Sequence, residues 1–87
     1  MLVDGSPQDV DLGAFETTVE HAPVPVLVDF GADWCHPCRL ARPIVDAVAR
    51  ERAGAWLVLR VDTDLVREAA DKYQVRGVPT FAVYVRG

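Results

Sequence analysis

The sequence predicts an α/β domain in which a central mixed sheet is flanked by helices, and three features point to it. Two short runs, Val26 to Phe30 and Trp56 to Val61, are almost uniformly apolar and rich in β-branched residues, as central strands covered on both faces should be. Segments with apolar residues at helical spacing separate these runs from their neighbours. A Gly77-Val78-Pro79 turn then leads into a last strand-like run, Thr80 to Val85. The resulting order, β-α-β-α-β-α-β, has no repeat, low-complexity tract or linker to divide it.

Taken in order, residues 1 to 8 read as a flexible leader and residues 9 to 87 as the folded domain. Val10 and Leu12 suggest a short first strand. Phe15 and Val19 lie one helical turn apart and indicate a first helix over Gly13 to His21, ended before Pro23 and Pro25. In the strand Val26 to Phe30 the one anomaly is Asp29, a carboxylate in a segment otherwise suited to burial. The second helix runs from about Cys35 to Arg52, with Leu40, Ile44, Val45 and Val48 as its apolar stripe, a kink expected at Pro43 and a stop at Gly54. After Trp56 to Val61, the triplet Asp62-Thr63-Asp64 is a start signal for a third helix, whose buried face would be Leu65, Val66, Ala69, Ala70 and Tyr73.

A chain of 87 residues has room for one domain and can bury roughly 60 to 70% of its unfolded surface. Half of it is apolar and a quarter charged, the balance of a soluble globular protein. A net charge of −4 argues against nucleic-acid binding, which needs Lys and Arg clustered on one face. The N-terminal residues lack the basic and apolar regions of a secretory signal, and no run is long enough to span a membrane. A cytoplasmic location is therefore expected, where a close pair of cysteines is catalytic or metal-binding more often than a structural brace.

That pair is Cys35-His36-Pro37-Cys38, preceded by Trp34 and set where an apolar strand gives way to a helix. Two thiols so spaced can close a small disulfide ring with little backbone movement and reopen it by thiolate exchange. A half zinc site is the alternative, because Cys35, Cys38, His21 and His36 supply a bare count of four ligands. His36 lies inside the cysteine pair, where it cannot easily turn onto the same metal. Covalent haem is excluded, since Arg39 and not His follows Cys38.

The strand before Trp34-Cys35-His36-Pro37-Cys38, then Pro43, and finally Arg76-Gly77-Val78-Pro79-Thr80, taken in that order, resemble the thioredoxin family over about residues 10 to 87. The run Val61-Asp62-Thr63-Asp64 and the helix through Tyr73 look most like bacterial thioredoxins of the second type, although no further cysteines exist to build their N-terminal zinc module. The resemblance implies a thioredoxin-like fold. It also implies a protein thiol–disulfide oxidoreductase that reduces protein disulfides, is re-reduced by a thioredoxin reductase drawing on NADPH, and needs no cofactor beyond its own redox-active disulfide.

It further implies roles for single residues. Cys35, at a helix N-terminus that lowers its pKa, would attack the substrate. Cys38, one turn further in and less exposed, would resolve the mixed disulfide, with buried Asp29 accepting its proton. Arg60 stands where the family often has Lys and could act on Asp29 only electrostatically. Pro79 matches the family's cis-proline, and Trp34, Gly77, Val78 and Pro79 would form the substrate-docking surface, with Val78 pairing to an extended substrate backbone. Alternatively, Trp34 is an ordinary core residue, and Asp29 and Arg60 are strand-end charges reaching solvent.

The chain departs from the family pattern in three places. His36 replaces a glycine, and an imidazolium beside Cys35 would stabilise the thiolate; with Pro37 it would tune the couple, towards a disulfide oxidase or isomerase. Gly31 replaces an aromatic residue, so looser packing or a gap behind the active-site loop is expected. The sequence also ends where the family continues with another strand and helix, which would leave the last strand as an exposed edge open to dimerisation. A thioredoxin-fold binding module with little turnover is the reading from a different functional class.

Overall fold

The computed structural model describes residues 7–85, and the first six residues of the expected leader, like the last two of the domain, lie outside them. Four strands and three helices alternate: β1 (Gln8–Asp9), α1 (Leu12–His21), β2 (Val26–Gly31), α2 (His36–Glu51), β3 (Leu57–Asp62), α3 (Arg67–Lys72) and β4 (Thr80–Tyr84). They form one mixed sheet of order β1-β3-β2-β4, in which β1 and β2 run parallel to β3 and β4 runs antiparallel to β2.

Strand alternation assigns the two faces. Val26, Val28 and Phe30 of β2 and Leu57, Leu59 and Val61 of β3 point to one side, where they bury Phe15, Val66 and Ala69. Phe15 is the pivot of this core, its ring edge-on to Phe30, Tyr73 and Tyr84 at centroid distances of 5.8, 5.0 and 5.8 Å. The other face carries Leu27 and Val58, covered by Val45 and Ala49 of α2. Asp29 and Arg60 are opposite one another in the β2–β3 register and share the parity of Leu27 and Val58, so both lie on the α2 side.

Several boundaries differ from the sequence reading. The first strand is Gln8–Asp9, so the sheet begins inside the segment assigned to the leader, and Val10 only closes the ladder with a 3.0 Å bond to the Arg60 carbonyl. Leu12 opens α1 because the Asp11 side chain accepts the Ala14 N–H at 2.8 Å and caps the helix there. In α2 the buried row is Cys38, Val45 and Ala49, while Leu40 and Ile44 of the expected stripe are exposed, because the helix is rotated to lay the cysteine row on the sheet.

The Asp62 start signal is used differently. Its Oδ1 accepts the N–H groups of Asp64 at 2.9 Å and Leu65 at 3.2 Å, which makes a turn, and α3 starts only at Arg67. Leu65, expected in the core, is consequently 83% exposed. α2 ends at Glu51 with Arg52 as its C-cap, shortly before the expected stop at Gly54, whose φ of +84° serves the turn that returns the chain to β3. Among the described residues no helix is long and apolar enough to cross a membrane.

Candidate functional site

The site forms where β2 ends and α2 begins. Cys35 is the N-cap of α2, and its sulfur accepts the Cys38 N–H at 3.2 Å. Pro37 occupies the first turn, where its missing N–H leaves no helical bond unmade. Helical winding brings the Cys35 and Cys38 Cα atoms to 5.2 Å, and the two sulfurs are bonded. The Cys38 N–H and the positive end of the helix dipole therefore face the Cys35 sulfur, the environment that favours a thiolate once the bond opens.

The expected ranking of the two cysteines by exposure does not hold in this disulfide state. Cys35 is 2% exposed and Cys38 5%, and the pair packs with Ala32 and Val78. Their surroundings separate them instead. Of the two, only Cys38 lines the cavity that leads to Asp29.

On the outer side, the Val78–Pro79 peptide bond is cis and Val78 packs against the cysteine cluster. Trp34 is 68% exposed, so it is not a core residue, and its Nε1 donates to Asp64 Oδ2 at 2.7 Å. Trp34, Thr63, Val75, Gly77 and Val78 line a shallow cleft of about 230 Å³. A side chain on Gly77 would meet nothing within 4 Å, so its bare Cα faces open space. Thr80 Oγ1 donates to the Gly77 carbonyl at 2.5 Å and braces the turn.

On the inner side a cavity of about 60 Å³ is bounded by Asp29, Gly31, Cys38, Arg42 and Arg60, large enough for water. The gap expected behind the loop is this space: a Cβ on Gly31 would sit 3.5 Å from Cys38 Sγ and 3.7 Å from Asp29 Oδ1. Asp29 is the one buried charged residue among those described, and burial pushes its carboxyl above the usual range, with Arg60 and then Arg42 pulling the other way. Desolvation prevails over both, and the Arg60 pair is long. Arg60 Nε stops 3.8 Å from Asp29 Oδ2, and both that Nε and Asp29 Oδ1 are buried without a hydrogen-bond partner.

The structure thus brings Val78, next to the cis bond to Pro79, against the Cys35–Cys38 disulfide, with His36 and Pro37 between the cysteines and Asp29 and Arg60 around the cavity that Cys38 lines. Sequence reasoning missed four contributors. Asp64 holds Trp34, Asp33 takes a 3.0 Å ion pair from Arg42, Arg42 borders the Asp29 cavity, and Asp46 accepts from Arg60 Nη2 at 3.0 Å. A signal for two of them existed: Cys38, Arg42 and Asp46 follow at successive intervals of four, which is one face of a helix.

A disulfide at a helix N-terminus, with an open cleft nearby and a buried acid beside the cavity behind it, defines a dithiol–disulfide exchange protein. The family model described as Thioredoxin matches residues 7–87. Thioredoxin 1 of Nostoc sp. is 41% identical over 73 residues, covering 84% of this chain and 68% of that protein. Chloroplastic thioredoxin M4 of Arabidopsis thaliana is 41% identical over 73 residues, covering 84% of this chain and 38% of its own length. A solved mutant thioredoxin from Halobacterium salinarum superposes with a TM-score of 0.85 at 34% identity, covering 95% of this chain and 72% of the other. The chain belongs to the thioredoxin family, and with its Cys35–Cys38 pair it is a thiol–disulfide oxidoreductase.

Proposed function

We propose that the chain reduces disulfides of protein substrates through Cys35 and Cys38. The Cys35 thiolate attacks one sulfur of the substrate disulfide, forming a mixed disulfide and expelling the other substrate sulfur as a thiolate. Cys38 then loses its proton to Asp29 across the inner cavity and attacks Cys35 Sγ, which releases the second substrate sulfur. The products are a substrate dithiol and the Cys35–Cys38 disulfide. The observation that carries this reading is the position of Cys35 Sγ at the α2 N-cap, where it accepts the Cys38 N–H.

Trp34, Gly77, Val78 and Pro79 receive the substrate, the Val78 backbone pairing with an extended segment. The disulfide is the sole redox group, and a thioredoxin reductase using NADPH restores the dithiol. The setting is cytoplasmic electron transport to protein disulfides and cell redox homeostasis, supported by the bacterial relative. Self-association uses β4, an edge strand among the described residues that exposes Phe81 and Val83, and a monomer in sedimentation at working concentration rules this out.

A redox titration followed by tryptophan fluorescence tests the reading. A two-electron transition near ~−270 mV supports a reductase, and a value near ~−180 mV or higher replaces it with an oxidase or isomerase. The second outcome has one observation in its favour, His36 exposed at the first position of α2.

A further inference from the structure

Arg60 is shared between two carboxylates. Its Nη2 donates to Asp46 on α2 at 3.0 Å, while its Nε is left 3.8 Å from Asp29 Oδ2 with no partner. A guanidinium and a carboxylate within reach usually close to a hydrogen-bonded, often bidentate pair, and such a pair strongly favours the ionised acid. Here the pair stays long although Arg60 Nε is buried and Asp29 is a buried residue. The contact that differs is Asp46, half-exposed on the solvent side, which draws the far end of the guanidinium towards α2 and fixes the plane in which Nε lies.

We propose that Asp46 is a positioning residue of the exchange reaction: by anchoring Arg60 it keeps the guanidinium from closing onto Asp29, and so leaves Asp29 able to take the proton of Cys38. The inference rests on the reading of Asp29 as proton acceptor. An Asp29 clamped by Arg60 would be a weak base for a thiol, and one held at a longer distance in a buried cavity is matched to that task. The raised affinity of Asp29 for its proton, despite a guanidinium beside it, agrees with this division.

Other charged groups face Asp29 as well. From α2 come Arg42, itself paired with Asp33 of the loop, and Cys38; β1 supplies Asp9 and β3 Asp62. No hydrogen bond runs from any of these groups to Asp29, and Arg42, one turn from Asp46 on α2, is held by Asp33. Loss of the Asp46 charge would itself ease ionisation of Asp29, so the test must separate that direct effect from the one acting through Arg60.

Asp46→Ala is suited to this because alanine is the strongest helix former and the side chain is partly solvated. Carboxyl resonances of Asp29 are titrated by 13C NMR in the oxidised protein, alone and in an Arg60→Gln background. The expected result is a fall of about one pH unit in the Asp29 midpoint, a tenfold change in proton affinity, with restoration by Asp46→Glu and little change when Arg60 is Gln. An unmoved midpoint, or an equal fall in the Arg60→Gln background, overturns the proposal. The rate at which Cys38 resolves a chromogenic mixed disulfide, followed against pH, reads the catalytic half separately. Its rising limb should move down in pH with the midpoint and its plateau fall several-fold. A midpoint that moves without that response means that Asp29 is not the proton acceptor, which overturns the role of Asp46 in exchange.

Discussion

The indole of Trp34 is tied to Asp64 by a 2.7 Å hydrogen bond, so the loop before the cysteines is anchored to the turn after β3. Trp34 therefore presents a fixed face to the cleft although most of its surface is in solvent. Asp64→Ala should release it. Because both partners are exposed, global stability should change by less than ~1 kcal/mol, while KM for a protein disulfide rises a few-fold at constant kcat. An unaltered KM together with an unaltered indole N–H resonance would show that the anchor is irrelevant to docking.

Asp29 is destabilising when ionised. Its carboxyl titrates above the ordinary value of 3.8, so the folded state holds the proton more tightly than the unfolded chain does. The favourable contribution is complete below that ordinary value and disappears as pH rises through the native pKa. Asp29→Asn, which stays neutral, should match the parent in acid and be more stable at neutral pH, by on the order of 1–3 kcal/mol. It should also slow resolution by Cys38. Denaturant curves at several pH values decide this, and a stability gap that is already full in acid contradicts it.

Phe15 is completely buried at the meeting point of three aromatic neighbours. Phe15→Ala should cost about 3–5 kcal/mol, since removing the ring leaves a cavity bounded by both α1 and the sheet. Urea unfolding measures it. A loss below ~1 kcal/mol would mean that Tyr73 and Tyr84 collapse into the space.

Glu16 accepts from both Lys72 and the Tyr73 hydroxyl, joining α1 to α3. The Lys72 bond, followed by that from Tyr73, lowers the Glu16 carboxyl below its ordinary 4.5, whereas the bond to Glu16 pushes Tyr73 from 10.0 up to about 12. The carboxyl contribution is present above 4.5 and is lost as pH falls through the depressed value. The tyrosine contribution is present below 10.0 and is lost as pH rises towards about 12. Glu16→Gln should flatten both limbs of the stability profile, and a tyrosinate absorbance titration should return Tyr73 to the ordinary range. If Tyr73 keeps its high value in that variant, burial and not the Glu16 bond is responsible.

His36 occupies the exposed first position of α2, next to the attacking sulfur. Replacing it with glycine should make the couple more reducing by about 30 mV, a tenfold shift in the equilibrium with a reference dithiol. An unchanged potential would leave the helix terminus and Cys38 as the main influences on Cys35.

Much of this arrangement was readable in one dimension, and the reasons are particular. The β-branched runs around Val28 and Leu59 could only be buried strands, and Cys35-His36-Pro37-Cys38 at a strand-to-helix junction could only be a compact thiol pair or a partial metal site. Asp29 was conspicuous because it broke an apolar run. Leu40, Ile44 and Leu65 are exposed for two reasons: helical spacing identifies an apolar stripe without saying which stripe meets the sheet, and it does not say where the helix begins. In α2 the row through Cys38, Val45 and Ala49 took that place, and at Leu65 an Asp62 turn preceded the helix.

The sequence by itself determined the order of elements, the thiol pair and its helix-terminal setting, because these depend on local periodicity and on neighbours a few residues apart. Only the tertiary structure decided how the buried acid is treated. Whether Arg60 neutralises Asp29 depends on a strand-to-strand register, on the rotation of α2 that places Asp46 over the sheet, and on the space left by Gly31. These are distances between residues far apart in the chain, and desolvation and ion pairing depend on those distances.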